Sequence, residues 1–286
     1  MTKNSSREQG VKDKLKVKRD ETNVDYNILL KKYFIDEFLR LLSKSTYRTK
    51  FIWKGGFVLS AITGVEKRTT VDLDTMLQGV TVDKASLTDI VNQIIGLSDP
   101  VGCQYVLKSI EPIQEKNAYQ GLRIDLQGKL GQMQDNFHLD IATGEKLIPS
   151  AMSWNYQPLI GNKIGISIYR PERILAEKIQ TILTRSIANT RMKDFFDIYL
   201  ISHLAIAIEI EPALLAEAIQ AVMLERGTAD LLVEWRMILD IIAQDSLMHR
   251  RWIDYRTKHD FVKAVTFAET IEATKDCLQK IVIEDN

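Results

Sequence analysis

The chain has little that would set it apart from an ordinary intracellular protein. Its two cysteines, Cys103 and Cys277, are far apart and match no metal spacing. Neither a disulfide scaffold nor a cysteine zinc site is expected from them. The four histidines fall in no H-E-x-x-H pattern, which removes a common zinc signature. No apolar run approaches the ~18 residues of a membrane span, and none forms a signal region at the N-terminus. The expectation is a reduced, cytoplasmic protein with no membrane partner. Repeats and low-complexity stretches are missing as well. So is net charge, with 38 Lys+Arg against 38 Asp+Glu in 286 residues. That balance excludes a generally basic nucleic-acid coat and an acidic disordered tail.

The neutrality conceals a segregation. Residues 1–70 hold sixteen Lys and Arg against eight Asp and Glu. Such an excess suits either a solvated helix or an end that meets a polyanion. The Lys12–Arg19 cluster is the expected contact for RNA or an acidic partner. Residues 1–20, polar with recurring lysines, predict a frayed or mobile helix.

Periodicity divides the rest. Tyr26, Leu29, Leu30, Tyr33, Phe34, Phe38, Leu41 and Leu42 recur with helical spacing. Phe51-Ile52-Trp53 reads as a strand running into a Gly55-Gly56 turn, and Phe57 to Ile62 as a short helix stopped by Gly64. Val71 to Leu77 alternates like a strand, and Asp83 caps a helix running to Leu97. Strands are expected over 104–113, 119–128, 136–142 and 163–169. From Pro171, which suits the first turn of a helix through Leu183, almost everything has helical period. Further helices are expected at about 193–206, 211–225, 229–244 and 260–283. The organisation read from this is a basic segment over 1–24, an α+β domain over 25–170 and an all-helical domain over 171–286.

The informative segment is Gly55-Gly56, fifteen residues, then Asp72-Leu73-Asp74. In a strand, residues two apart share a face, so Asp72 and Asp74 set two carboxylates side by side. Like charges so placed call for a cation between them. Mg²⁺, held by one or two carboxylates and completed by substrate phosphates, is the usual resolution. Two such ions stabilise both the attacking and the leaving oxygen of phosphoryl-type transfer. A Gly-Gly turn lets backbone N–H groups approach a phosphate, and the helix behind it adds its positive end. A lone D-x-D or a lone G-G is common; it is their order, strand, GG, helix, strand, DxD, that is specific. Asp140, on a strand with His138 on the same face, is the preferred third metal ligand. Asp125 is the competing choice. Lys178 lies beside the apolar stripe of Leu175, Ile179 and Ile182, and would hold triphosphate charge if it faces a cleft. Asp194 and Asp197 share a helix face, where first-turn acids also suit the helix dipole. The run from His249 to His259 mixes cations with aromatics and fits either an RNA grip or a surface junction.

These residues carry a resemblance. Lys54-Gly55-Gly56…Leu59…Arg68-Thr69-Thr70-Val71-Asp72-Leu73-Asp74 resembles the K-G-G-T-x-L…R-x-S-x-D-[LI]-D signature of the AbiEii/AbiGii-type toxins. Those are bacterial members of the DNA polymerase β-like nucleotidyltransferase superfamily. Arg170 to Ile179 is similar to the family's P-E-x-x-L-A-E-K-[LI], and Arg191 to Tyr199 to its R-x-K-D-x-x-D-[LI]-Y. Phe57 stands where the family has Thr, and Thr70 where it has Ser. The last ~85 residues match no family motif.

The resemblance implies a nucleotidyltransferase-type mixed sheet with flanking helices, followed by a helical C-terminal domain. It implies a toxin with a nearby antitoxin, in abortive infection and phage defence. Asp72, Asp74, Lys178 and Asp194 would be catalytic, with Asp197 a structural neighbour. Gly55, Gly56, Arg68, Thr70 and Lys178 would bind the NTP. Asp72, Asp74 and Asp140 would hold Mg²⁺, or Mn²⁺ in its place. An acceptor hydroxyl attacks the α-phosphorus and pyrophosphate leaves; tRNA is the leading acceptor. The alternatives are a protein or small-molecule hydroxyl, or a GTP-binding protein that transfers nothing.

Overall fold

The structure is a computed structural model that describes residues 3–68, 70–99, 101–113, 121–143, 147–203 and 209–282. The chain forms two compact units. The first comprises Met1–Leu147 and Ala151–Tyr169; the second comprises Ile148–Ser150 and Arg170–Asn286.

The first unit is built on a seven-stranded mixed sheet of order β3-β4-β5-β2-β1-β7-β6. Its strands are β1 (Phe51–Lys54), β2 (Leu73–Leu77), β3 (Gln104–Pro112), β4 (Leu122–Leu130), β5 (Met133–Thr143), β6 (Met152–Tyr156) and β7 (Ile164–Ile168). The short strand β1 runs down the middle, antiparallel to β2 and parallel to β7. Phe51, Ile52 and Trp53 are all buried there, as a central strand covered on both faces requires. Helices α1 (Lys3–Thr22), α2 (Tyr26–Lys44), α3 (Gly55–Thr63) and α4 (Lys84–Ile95) complete the unit. Asp25 caps α2 by accepting the Asn27 N–H at 2.8 Å, and Asp83 caps α4 by accepting that of Ser86 at 2.9 Å. Phe38 of α2 packs edge-on against Tyr105 and Phe137 of the sheet.

Helix α1 differs from the frayed segment expected for residues 1–20. Val11 and Leu15, one turn apart, are buried, and the Glu8 carboxylate accepts the Gln132 N–H at 3.0 Å. Some of its cations pair with acids of the same helix: Lys12 with Glu8, Lys16 with Asp13 and Lys18 with Glu21. These acids are already among the eight counted along the sequence, so the helix keeps a net positive charge.

The second unit is helical: α5 (Pro171–Arg185), α6 (Met192–His203), α7 (Pro212–Glu225), α8 (Leu231–Gln244), α9 (Ser246–Lys258) and α10 (Phe267–Val282). Two elements escaped the sequence reading, β6 and α9. The last helix begins at Phe267 instead of residue 260, because Thr266 and Glu269 form a reciprocal cap: each backbone N–H is accepted by the other's side chain, at 2.7 and 3.2 Å. The start of the strand expected at 119, the end of the helix expected to 206 and residue 283 fall outside the described residues. Among the described residues, no helix is long and apolar enough to cross a membrane.

Candidate active site

The site of the first unit starts at the end of β1. Lys54 is extended and places no side chain on the first turn of α3. Gly55 follows at φ +64°, a conformation that suits glycine alone. A Cβ there would lie 2.7 Å from Asp74 Oδ2, so backbone and carboxylate meet at one point. A Cβ on Gly56 would lie 3.2 Å from the Thr70 hydroxyl and 3.4 Å from an Arg68 guanidinium nitrogen. Gly55, Gly56, Arg68, Thr70 and Asp74 are thus brought together at the start of α3. The Thr70 hydroxyl accepts the Asp72 N–H at 3.3 Å and so fixes the approach to β2. Asp72 is exposed and Asp74 half-buried. Phe57, at the family's Thr position, is buried against Trp53 and Tyr156 and belongs to the core.

The strand carrying Asp140 is the neighbour of the one carrying Asp74. β2 and β5 are parallel, and Asp74 stands opposite Asp140. Phe137, Leu139 and Ile141 fill the core from the other face of β5. The register extends into a row of charges on one face of the sheet: Arg123 opposite Asp140, Asp140 opposite Asp74, Asp74 opposite Lys54. Arg123 was given no role in the sequence reading. It grips Asp140 with both arms of its fork, Nε to Oδ1 and Nη2 to Oδ2, each at 2.7 Å. Those hydrogen bonds outweigh a small loss of solvent and hold the guanidinium above its usual pKa, and the charges of Asp140, Asp125 and Asp72 add to it. Asp125, the competing candidate, accepts the Ser109 hydroxyl at 2.7 Å.

Among the described residues, no group of three or more His, Cys, Asp or Glu is arranged to hold a metal. Asp72 and Asp74 offer hard oxygen donors, and the Gly55 backbone leaves room beside Asp74 that a side chain would fill. Two carboxylates with phosphate and water oxygens are what Mg²⁺ asks for, so the residues fit. The space can be tested directly. Gly55→Ala should cost about 1–2 kcal/mol for a left-handed alanine and push Asp74 aside. A lower thermal midpoint together with weaker nucleotide binding is the expected result; wild-type values in both would remove Gly55 from the site.

The second unit holds its own constellation. Lys178 of α5 is buried and donates to Asp194 Oδ1 at 3.0 Å and to Asp197 Oδ2 at 2.6 Å, both on α6. Arg191 adds a bond to Asp194 Oδ2 at 2.8 Å. Burial works against the lysine's charge, yet the two aspartates outweigh it and hold the amine above its ordinary value. Burial likewise opposes the Asp194 carboxylate, and Lys178 and Arg191 keep it below its ordinary value. Both aspartates face the lysine, and Lys178 is committed to them. Of the basic run on α9, Trp252 is buried and Arg251 donates to the Ile187 and Asn189 carbonyls, which leaves Arg250 and Lys258 exposed.

The architecture is that of a nucleotidyltransferase. A candidate nucleotidyltransferase from Helicobacter pylori matches it with a TM-score of 0.50 at 14% identity, covering 92% of this chain and 100% of that one. JHP933 from Helicobacter pylori gives a TM-score of 0.48 at 14% identity, covering 92% and 96%. No curated protein sequence matches the chain well enough to count as a relative. The family model for the nucleotidyl transferase AbiEii toxin of type IV toxin–antitoxin systems matches residues 37–273. The chain belongs to that family. It is a nucleotidyltransferase that takes an NTP, and a toxin whose system includes an antitoxin.

Proposed function

We propose that the chain transfers nucleotides from an NTP to a hydroxyl of tRNA, releasing pyrophosphate and blocking translation. The observation that carries the chemistry is the meeting of Gly55 and Asp74, where uncapped helix start and carboxylate share one point. Asp72 and Asp74 would hold Mg²⁺, or Mn²⁺, with the NTP phosphates completing the ion's shell. Bound there, the ion supplies Lewis acidity toward the phosphate oxygens. The Gly55-Gly56 backbone approaches the phosphates, Arg68 lends its charge beside Gly56, and Thr70 orients Asp72 through its N–H. Lys178 and Asp194 are needed for transfer, by the family resemblance of their motifs. The antitoxin restrains the activity, and its release serves abortive infection of phage-infected cells in the cytoplasm.

The test combines purified protein, Mg²⁺, each of the four labelled NTPs and total tRNA, beside an Asp72→Ala control. Label entering tRNA with the wild type alone is the expected result, with binding that weakens steeply as salt rises. Label entering protein or a small hydroxyl compound would replace tRNA as the acceptor. Nucleotide bound but never transferred would overturn the reading.

A further inference from the structure

We infer that Arg123 is a built-in cation on Asp140, so that the divalent ion is held by Asp72 and Asp74 without a third carboxylate. The inference rests on the metal reading above and narrows it. Asp140 is next to Asp74 across a strand pair, where unrelieved like charges repel. Something cationic must stand there in the protein before any ion arrives, and Arg123 does. Its planar fork takes both Asp140 oxygens at 2.7 Å, the arrangement in which an Arg–carboxylate pair is strongest. An ion seeking Asp140 would share oxygens that Arg123 already engages and would sit beside its positive charge. An ion on Asp72 and Asp74 displaces nothing from Asp140. Arg123 is a positioning residue: it acts through Asp140 on the composition of the metal shell.

The direct test is Mn²⁺ titration of the full-length protein without nucleotide, by electron paramagnetic resonance of free Mn²⁺. The variants are Arg123→Gln, Arg123→Gln with Asp140→Asn, and Asp74→Ala. Arg123→Gln should release Asp140 and tighten Mn²⁺ binding about tenfold or add a second bound ion. The gain should vanish when Asp140→Asn is added, and Arg123→Lys, with one bond in place of two, should fall between. Gln is tolerated on this half-exposed strand position, and thermal unfolding of each variant confirms it. Binding that depends on Asp74 but is unchanged by Arg123→Gln would overturn this inference alone. A gain that survives Asp140→Asn would overturn it too, because charge repulsion by Arg123 would then suffice. Absence of Mn²⁺ binding from the wild type and from Arg123→Gln would overturn both the inference and the metal reading.

Discussion

Asp74→Ala should lower nucleotide transfer by at least about 10³-fold while the protein stays folded. Three decades correspond to about 4 kcal/mol of transition-state stabilisation, the scale expected when a centre loses one of its two carboxylates. The effect on the fold should be small, because Asp74 is a half-buried strand residue outside the apolar core. Asp74 stands opposite Asp140 on the neighbouring strand, so its removal relieves a repulsion between like charges. It also leaves Gly55 more room, since the atom lost is the one nearest the glycine. Transfer rates at saturating Mg²⁺ should therefore collapse with the thermal midpoint within a few degrees of wild type. A rate within tenfold of wild type would remove Asp74 from the centre. A midpoint that falls by many degrees would make it a structural residue.

Much of this centre was legible because strand alternation is strict. Leu73-Asp74 and Leu139-Asp140 alternate as expected: the leucines are paired and buried, and the aspartates stand opposite one another. The Gly55-Gly56 punctuation located the start of α3 within two residues. The parallel pairing of β2 with β5 was not readable, because some sixty residues separate them and nothing local records such a register.

The Arg123–Asp140 pair is a different case. β4 and β5 form a hairpin whose ends, Leu130 and Met133, are joined by Gly131-Gln132, with Gly131 at φ +59°. A two-residue turn fixes every later pairing, out to Arg123 opposite Asp140. Placing the start of β5 at Asn136 instead of Met133 hid that arithmetic. The Thr266-x-x-Glu269 cap was likewise present in the sequence, and helical period alone carried the expected helix seven residues too far back. Helix α1 shows the opposite limit. Its composition reads as solvated, and only the distant Gln132 backbone explains why Glu8 anchors it.

Lys178→Met should lower the thermal midpoint by on the order of 10 °C, the largest stability loss expected of any single change in the helical unit. Removing the amine leaves Asp194 and Asp197 buried beside one another, with Arg191 the remaining cation on Asp194. Breaking a buried ion pair by removing one partner costs about 3–5 kcal/mol, more than the pair itself contributes. Neutralising the aspartates as well should recover most of the loss, because the burden is the excess buried negative charge and not the missing bond. The pH dependence has a definite sign. Asp194 is held below its ordinary 3.8, so its stabilisation is complete above that value and is lost as pH falls through the folded value. Lys178 is held above its ordinary 10.5, so its stabilisation is complete below that value and is lost as pH rises through the folded one. The wild type should be flat between those limits as far as this cluster is concerned. Lys178→Met should instead gain relative stability on mild acidification, as Asp194, with less positive charge beside it, takes up a proton more readily. Transfer activity then separates two roles. If Lys178→Met/Asp194→Asn/Asp197→Asn regains its midpoint but transfers nothing, these side chains serve the reaction itself. If transfer returns with the midpoint, the cluster is a clasp between α5 and α6, and the family motifs that contain it record packing of the helical unit.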